Sequence, residues 1–156
     1  MINLSISYKI LAFDDLTSKD RQLVLAAESS WKNAHAPYSH FFVGSAVRDL
    51  NGKITTGNNQ ENAAYPSGLC AERVALFAAK SQEKTALDTI VVLAKNQVDI
   101  LADAFPCGNC RQVMMEYATM QTNPIRILMQ RKEGDFIAVD DVKSLLPFHF
   151  DAQQLK

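Results

Sequence analysis

The sequence is poor in the features that mark several classes of protein. Its 156 residues include three cysteines, six glycines, five prolines and one tryptophan, and its formal net charge is -1. An odd and small number of cysteines argues against a closed disulfide framework and suits a reducing compartment. No apolar run approaches the length of a membrane span. The near-neutral charge provides no basic surface for a polynucleotide, so we expect neither a nucleic-acid polymer nor a membrane as partner.

The first residues also lack the pattern of a targeting signal. The stretch 1–9 alternates polar and apolar residues, without the basic start and continuous apolar core of a signal peptide. We therefore expect a cytoplasmic protein. The chain has no internal repeat or linker-like tract, and its length and its hydrophobic fraction of 47% are typical of one globular domain spanning 1–156.

Hydrophobic periodicity divides the chain into alternating strands and helices. The pattern predicts strands within 2–13 and at 41–50, 53–57, 89–94 and 125–130, with Asn51-Gly52 as a hairpin turn. It predicts helices at 18–33, 70–79, 107–117 and 139–146, and Pro106 suits the first position of the third helix. We therefore predict an α/β fold, a three-layer α/β/α sandwich with a mixed β-sheet that starts with a β-hairpin.

The three cysteines fall in two short motifs. Cys107 and Cys110 form a Cys-x-x-Cys directly after Pro106, and residues three apart share a face of a helix. Taken alone, this pair is typical of either a redox dithiol or half of a structural zinc site. Cys70 adds a third thiol at the start of another predicted helix.

Glu72 favours a catalytic interpretation of these cysteines. Three protein ligands with the fourth position left to water are the arrangement of a catalytic zinc. Cys-x-Glu followed by Pro-Cys-x-x-Cys also matches the zinc deaminase signature, in which the Glu moves protons and is not a ligand. We predict one Zn²⁺ per subunit on Cys70, Cys107 and Cys110, with Glu72 as acid and base. Residues two apart do not share a helix face, so the position of Glu72 relative to Cys70 stays open.

A cation beside the sulfurs would tune such a site. Three thiolates on Zn²⁺ leave a net charge of about -1, which makes a bound water a weaker acid than it is at a site of neutral ligands. Arg73, next to Glu72, is the first candidate to offset this charge, and Arg111, next to Cys110, is the second.

Longer stretches of the chain resemble the small homotetrameric cytidine deaminases. They are 37–44 (Pro-Tyr-Ser-His-Phe-Phe-Val-Gly), 57–66 (Gly-Asn-Asn-Gln-Glu-Asn-Ala-Ala-Tyr-Pro), 70–73, 106–113 and 145–147. The resemblance covers nearly everything after residues 1–17, which form an N-terminal extension. It implies hydrolytic deamination of cytidine and deoxycytidine to uridine and deoxyuridine with release of ammonia, as a step of pyrimidine salvage.

The resemblance also implies roles for individual residues around the substrate. Phe41 would pack on the pyrimidine, and the backbone of Ala71 would contact the base. Asn59 and Glu61 would bind the ribose hydroxyls. An amide and a carboxylate together satisfy hydroxyl groups that both donate and accept hydrogen bonds.

Two further residues match family positions that reach the site of a neighbouring subunit. These are Tyr65 and Phe150. The resemblance therefore implies a homotetramer whose active sites are shared between subunits.

Three alternatives stay open at the level of sequence. Phe105 stands where the family commonly has Ser, and 148–152 lacks the family's Gly-Pro, which favours a modified or antibiotic amino-pyrimidine nucleoside as substrate. A histidine as fourth zinc ligand would instead give a structural zinc knot and an interaction module without activity. A polynucleotide deaminase fits poorly with the neutral charge.

Overall fold

A computed structural model describes residues 3–155. In chain order its strands and helices are β1 (Lys9–Leu11), α1 (Ser18–Ser30), β2 (Phe41–Asp49), β3 (Ile54–Asn58), α2 (Ala71–Gln82), β4 (Leu87–Asn96), β5 (Leu101–Ala102), α3 (Gly108–Thr119), β6 (Arg126–Gln130) and β7 (Phe136–Val139). Within these residues the seven strands form one mixed sheet in the order β1-β7-β6-β4-β2-β3, and β5 pairs with the end of β4. No helix in the described part of the chain is long and apolar enough to cross a membrane.

Strand β4 lies at the centre of the sheet and organises both faces of the core. It pairs antiparallel with β2 and parallel with β6, and α3 lies in the connection to β6. Ile90 and Val92 pack in one apolar cluster with residues of α2 and α3. Val91 and Leu93 pack in a second cluster with residues of α1. Successive side chains of a strand point to opposite faces, so this alternation builds the predicted α/β/α sandwich.

Two glycines allow the helices to pack closely on the sheet. A Cβ atom at Gly44 would lie 2.2 Å from the carbonyl oxygen of Ala27 in α1, and one at Gly57 would lie 2.3 Å from the backbone nitrogen of Ala75 in α2. Any side chain at either position would clash with backbone. Gly57 therefore lets the helix that carries Glu72 pack directly against the sheet.

The C-terminal part of the chain differs from the sequence prediction. Phe136–Val139 is the strand β7, paired antiparallel with β6, so the predicted helix at 139–146 is wrong at its start. What remains of it is a 3-10 turn, Val142–Leu145, which the Asp141 side chain caps. Apolar residues at 136, 137 and 139 gain more burial from pairing along β6 than an isolated short helix could offer.

Other predicted elements are confirmed with adjusted boundaries. The hairpin of β2 and β3 forms around Gly52, whose φ of +87° suits the turn. The predicted first strand is shortened to β1, which pairs with β7 at the edge of the sheet; Ile2 lies outside the described residues. Pro106 is not the first residue of α3, because Cys107 is the N-cap and the helix begins at Gly108.

Candidate active site

The structure brings the three predicted metal ligands together at the N-termini of two helices. Cys70 is the N-cap of α2, Cys107 is the N-cap of α3, and Cys110 lies in the first turn of α3. The Sγ–Sγ distances are 3.8 Å for Cys70–Cys107 and 3.5 Å for Cys107–Cys110, and all three sulfurs lie within 4.8 Å of one another. Residues 37 positions apart thus meet because β4 and its flanking helices return the chain to the same end of the sheet.

The donor set of this cluster fits a zinc ion. All three cysteines are free, and their sulfurs are close enough to share one ion. Thiolates are soft ligands that select zinc, and three protein ligands leave a fourth position for water or substrate. In the part of the chain that the structure describes, no histidine belongs to the cluster. The number of protein ligands is that of a catalytic zinc site.

Helix capping places Glu72 beside the cysteines. Cys70 has extended backbone angles (φ -71°, ψ 154°), so it lies outside the helix that begins at Ala71. Because Cys70 is not helical, the rule that residues two apart point to different faces does not apply to this pair. Glu72 is 4% exposed and lines the same cleft as Cys70 and Cys107. The sequence left this geometry open, and the backbone conformation at the N-cap decides it.

Glu72 is a buried carboxyl group without a salt-bridge partner among the described residues. Burial raises the pKa of Glu72 to about 7, and the negative charge of Cys70 adds to the increase. A carboxyl group that titrates near neutral pH both accepts and donates a proton under physiological conditions. The environment of Glu72 therefore suits a group that moves protons in both directions.

Of the two arginine candidates, Arg73 contacts a sulfur. Its Nη2 lies 3.8 Å from Cys70 Sγ and also donates to the carbonyl of Gly68 at 3.4 Å. A hydrogen bond from Cys110 and the contact with Arg73 lower the pKa of the Cys70 thiol to about 5. Arg73 therefore favours the thiolate that binds metal.

Arg111 has a different set of partners. Its Nε donates to the carbonyl of Pro106 at 2.9 Å, and its Nη1 donates to the carbonyl of Leu145 at 3.3 Å. Arg111 thereby ties the loop before Cys107 to the C-terminal part of the chain. Its guanidinium therefore stabilises the backbone around the site by hydrogen bonds to carbonyl groups.

A cleft of about 550 Å³ opens beside the sulfurs. Apolar side chains from β2, β4 and the loop before α3 form much of its wall: Phe41, Val43, Val92, Ala94, Ala104 and Phe105. Polar side chains enter from the segment after β3 and from α2: Asn59, Gln60, Glu61, Asn62, Glu72 and Arg73. The volume suits a molecule of nucleoside size with one apolar, flat part and one polar part.

Glu61 and Asn59, the predicted ribose-binding pair, are held in place by hydrogen bonds to the backbone. Glu61 Oε2 accepts from the N–H groups of Tyr38 (3.0 Å) and Ser39 (3.2 Å), and the Ser39 hydroxyl bonds Oε1. Burial acts to raise the pKa of Glu61, but these hydrogen bonds outweigh it and keep the pKa below its usual value. Glu61 is therefore a fixed carboxylate at the rim of the cleft.

The Asn59 side chain spans the space between its own segment and β2. Its Oδ1 accepts from the N–H of Val43 and its Nδ2 donates to the carbonyl of Phe41, both at 2.9 Å. An amide nitrogen carries two hydrogens, so one donor remains for a ligand. Asn59 thus links the backbone at Phe41 to the polar end of the cleft.

Of the remaining predicted site residues, two line the cleft and two are not among its described lining residues. Phe41 is half-buried and lines the cleft, and Ala71 is fully buried as the first residue of α2. Tyr65 lines the cleft with 85% of its surface exposed. Phe150, 57% exposed, is not among the described residues that line the cleft, and Gln112 Nε2 donates to its carbonyl at 2.7 Å.

Sequence reasoning missed the part played by Ser39. Its hydroxyl and backbone N–H both bond Glu61, and the same Oγ accepts from the N–H of Phe41 at 3.1 Å. The segment 37–44 carries part of the family resemblance, but no pattern in the sequence connects residue 39 with residue 61. The isolated bridges that pair Gln60 with His35 and Leu69 create this contact.

Comparison with known proteins agrees with this geometry. A family model described as the cytidine and deoxycytidylate deaminase zinc-binding region matches residues 17–123, which include all three cysteines and Glu72. A cytidine deaminase of Halalkalibacterium halodurans is 36% identical over 137 residues, covering 87% of this chain and 98% of that protein. A cytidine deaminase of Sporosarcina psychrophila is 34% identical over 134 residues, covering 86% of this chain and 93% of that protein.

Solved structures give the same result for the fold. The crystal structure of cytidine deaminase from Burkholderia pseudomallei superposes with a TM-score of 0.73 at 34% identity, covering 86% of this chain and 100% of that chain. The family resemblance and the α/β/α fold are thereby confirmed. The chain belongs to the family of zinc-binding cytidine and deoxycytidylate deaminases.

Proposed function

We propose that the protein is a zinc-dependent cytidine deaminase that hydrolyses cytidine and deoxycytidine to uridine and deoxyuridine with release of ammonia. The observation that carries this proposal is the juxtaposition of Cys70, Cys107 and Cys110 with the buried carboxyl group of Glu72 at one end of a nucleoside-sized cleft. Each part is needed for hydrolysis of an amine from an aromatic ring, and family membership supports the whole.

The chemistry divides between the metal and Glu72. Cys70, Cys107 and Cys110 would hold a zinc ion, which when bound would supply Lewis-acid activation of a water. Glu72 accepts a proton from the attacking water and delivers it to the ring nitrogen next to the amine-bearing carbon. It then takes the proton of the hydroxyl group added to that carbon and gives it to the amine, which leaves as ammonia while the new carbonyl forms. The raised pKa of Glu72, about 7, suits this exchange. Arg73, in contact with Cys70 Sγ, offsets part of the thiolate charge.

The charges of the cleft favour a free nucleoside over a nucleotide or a polynucleotide. Among the described residues that line the cleft, Arg73 is the one cation, and it is directed at Cys70 Sγ and the Gly68 carbonyl. Glu61 and Asp103 add carboxylates to the same walls. A phosphate would meet these carboxylates without a free cation to pair with, so the cleft selects uncharged substrates.

The polar end of the cleft fits a sugar diol. Glu61 is fixed by three hydrogen bonds from Tyr38 and Ser39, so its remaining lone pairs are oriented before the substrate arrives. Asn59 offers one N–H beside it. We assign the two ribose hydroxyls to this pair and the base to the apolar wall that includes Phe41.

The homotetramer belongs to the same proposal. Tyr65, Phe148 and Phe150 are 85%, 90% and 57% exposed, and exposed aromatic side chains are typical of surfaces that contact another protein. Contact with a neighbouring subunit would cover them and bring Phe150 to that subunit's cleft. Light scattering measures the number of subunits in the assembly.

Co-expression of Glu72→Gln with Phe150→Ala tests whether one subunit contributes residues to the site of another. Mixed assemblies that regain activity, although each variant alone is inactive, support composite sites. Mixed assemblies no more active than the separate variants contradict them.

A cytoplasmic location and a role in pyrimidine salvage complete the proposal. The three cysteines are free, and a reducing compartment keeps such thiols available for metal. Deamination of a free nucleoside recovers a base that the cell has already made. Growth of a pyrimidine-requiring strain on cytidine, with and without this gene, measures that role.

The decisive experiment follows ultraviolet absorbance after cytidine is added to purified protein of known zinc content. Wild type is expected to convert cytidine, and Glu72→Gln to retain zinc without turnover. Cys107→Ala is expected to lose the metal. Cytidine 5′-monophosphate and a single-stranded oligonucleotide are expected to be poor substrates. A wild type with a full zinc site that converts none of these compounds would contradict the proposed function.

A further inference from the structure

Phe105 is an apolar side chain in the cleft wall to which the mechanism above gives no role. Phe105 is 49% exposed, and it lines the same cleft as Phe41, Cys107 and Glu72. Leaving half of a phenylalanine ring in water forfeits the free energy of burial that this side chain normally contributes. A ligand in the cleft would recover it.

The backbone around Phe105 is fixed at several points. The N–H of Ala104 donates to the carbonyl of Gln130 at 2.8 Å, and Asp103 Oδ1 accepts from the N–H of Lys132 at 3.0 Å. Arg111 Nε donates to the carbonyl of Pro106 at 2.9 Å. The residue before a proline is also confined to extended conformations. The backbone that carries Phe105 is therefore anchored on both sides of this residue.

The loop directs Phe105 toward the reacting end of the cleft. Phe105 and Cys107 are exposed and both line the cleft, whereas Pro106 between them is buried and is not among the described residues that line it. This alternation is that of an extended segment, in which residues two apart point to the same side. Phe105 therefore lies on the same side of the loop as a metal ligand, near the base.

The proposed reaction fixes which edge of the base faces this loop. The amine-bearing carbon lies between the ring nitrogen and C5, and the nitrogen must face Glu72 to receive its proton. Glu72 comes from α2, whereas Cys107 and Phe105 come from the β4–α3 connection. With the nitrogen toward α2, the C5 edge is turned toward the connection that carries Phe105.

We propose that Phe105 contacts the C5 edge of the base and limits the size of the substituent that the enzyme accepts there. The inference rests on the proposed function and makes Phe105 a specificity-determining residue. It assigns to this chain a preference for bases that carry hydrogen at C5. A methyl group at C5 would overlap the ring, because the anchored loop cannot move aside.

The test compares kcat/KM for cytidine and 5-methylcytidine in wild type, Phe105→Ala and Phe105→Leu. Wild type is expected to prefer cytidine. Phe105→Ala is expected to raise the ratio of kcat/KM for 5-methylcytidine to kcat/KM for cytidine about tenfold or more, because one methyl group in an apolar pocket commonly changes kcat/KM by this factor. Phe105→Leu is expected to fall between them. As a control, Phe13→Ala removes a phenylalanine that is 36% exposed and is not among the described residues that line the cleft, and the ratio should not change.

Inhibition by the products gives a second readout that does not depend on turnover. In Phe105→Ala, the inhibition constant of 5-methyluridine relative to that of uridine should fall by a similar factor. An unchanged ratio in both assays, in a variant that keeps its zinc and still converts cytidine, overturns the role of Phe105. A wild type that converts neither nucleoside overturns the proposed function instead, and the two failures are thereby distinguished.

Discussion

Two buried carboxyl groups lie at opposite ends of the central strands and differ in whether a cation is paired with them. Asp20 in α1 is 2% exposed, and Glu72 in α2 is 4% exposed. Asp20 bonds Arg48 Nη2 at 3.1 Å and Arg126 Nη1 at 2.6 Å. Glu72 has no such partner among the described residues, although Arg73 follows it in the chain.

The pKa values follow from these partners. Burial acts to raise the pKa of Asp20, but the hydrogen bond and charge of Arg126 and the hydrogen bond of Arg48 outweigh burial and lower the pKa below its usual value. For Glu72, burial dominates and raises the pKa to about 7. The comparison teaches that burial alone does not identify a functional carboxyl group. What distinguishes Glu72 is that its charge is left without a paired cation, in a cleft that admits a ligand.

Glu72→Gln should have the largest effect, and it should lower activity without lowering stability. We expect kcat to fall by about 10²–10⁴-fold, the usual contribution of a general acid and base. The free energy of unfolding of the metal-free variant at pH 8 should not fall, because the amide replaces a carboxylate that is costly to bury. Steady-state kinetics and urea unfolding measure the two quantities. A loss of stability equal to that of a core substitution would contradict the proposed difference between Glu72 and Asp20.

Asp20→Asn should show the reverse pattern. Removing the charge leaves Arg48, itself buried, and Arg126 without their shared carboxylate, which we expect to cost about 3 kcal/mol of stability. Because Arg48 pairs in the sheet with Thr89, at the far end of β2 from Phe41, kcat/KM per zinc-loaded molecule should change little. Asp140→Asn, in an exposed pair with Lys9 at 3.7 Å, is the matched control and should cost less than about 1 kcal/mol.

The pH dependence of stability should separate the same two groups. The folded-state pKa of Glu72 is raised from 4.5 to about 7, so the native state binds the extra proton and loses stability as pH rises through this window. In metal-free protein, wild type should therefore become less stable relative to Glu72→Gln between pH 5 and pH 8, by up to about 3 kcal/mol. Asp20 has a lowered pKa, so its contribution is present above pH 4 and is lost on acidification. Urea unfolding at three pH values tests both signs.

Arg73→Gln should give the smallest effect, confined to the thiols. Loss of the contact with Cys70 should raise the pKa of this thiol above about 5, so less thiolate is present in metal-free protein near pH 6. Thiolate absorbance in the ultraviolet, titrated against pH, reports the shift. Arg111→Gln is the control, because Arg111 bonds the carbonyls of Pro106 and Leu145. An equal shift in both variants would contradict the assignment of Arg73.

Local sequence by itself determined the chemical identity of the site. The spacing of Cys70 and Glu72, and of Cys107 and Cys110, reflects contacts within one helix turn and its cap, which are set by residues a few positions apart. The periodicity of the central strands and helices likewise gave the α/β/α class, because apolar alternation is a local property. The extent of the domain and the N-terminal extension stay predictions.

Only the tertiary structure decided the contacts between distant segments. Asp20 meets Arg126 across 106 residues, Ser39 meets Glu61 across 22, and Arg73 rather than Arg111 reaches a sulfur. The strand β7 forms because it pairs with the edge of β6, and the half-exposed Phe105 lines a cleft assembled from four segments of the chain. Such contacts depend on how helices pack on the sheet, so they cannot be predicted from the spacing of residues along the chain.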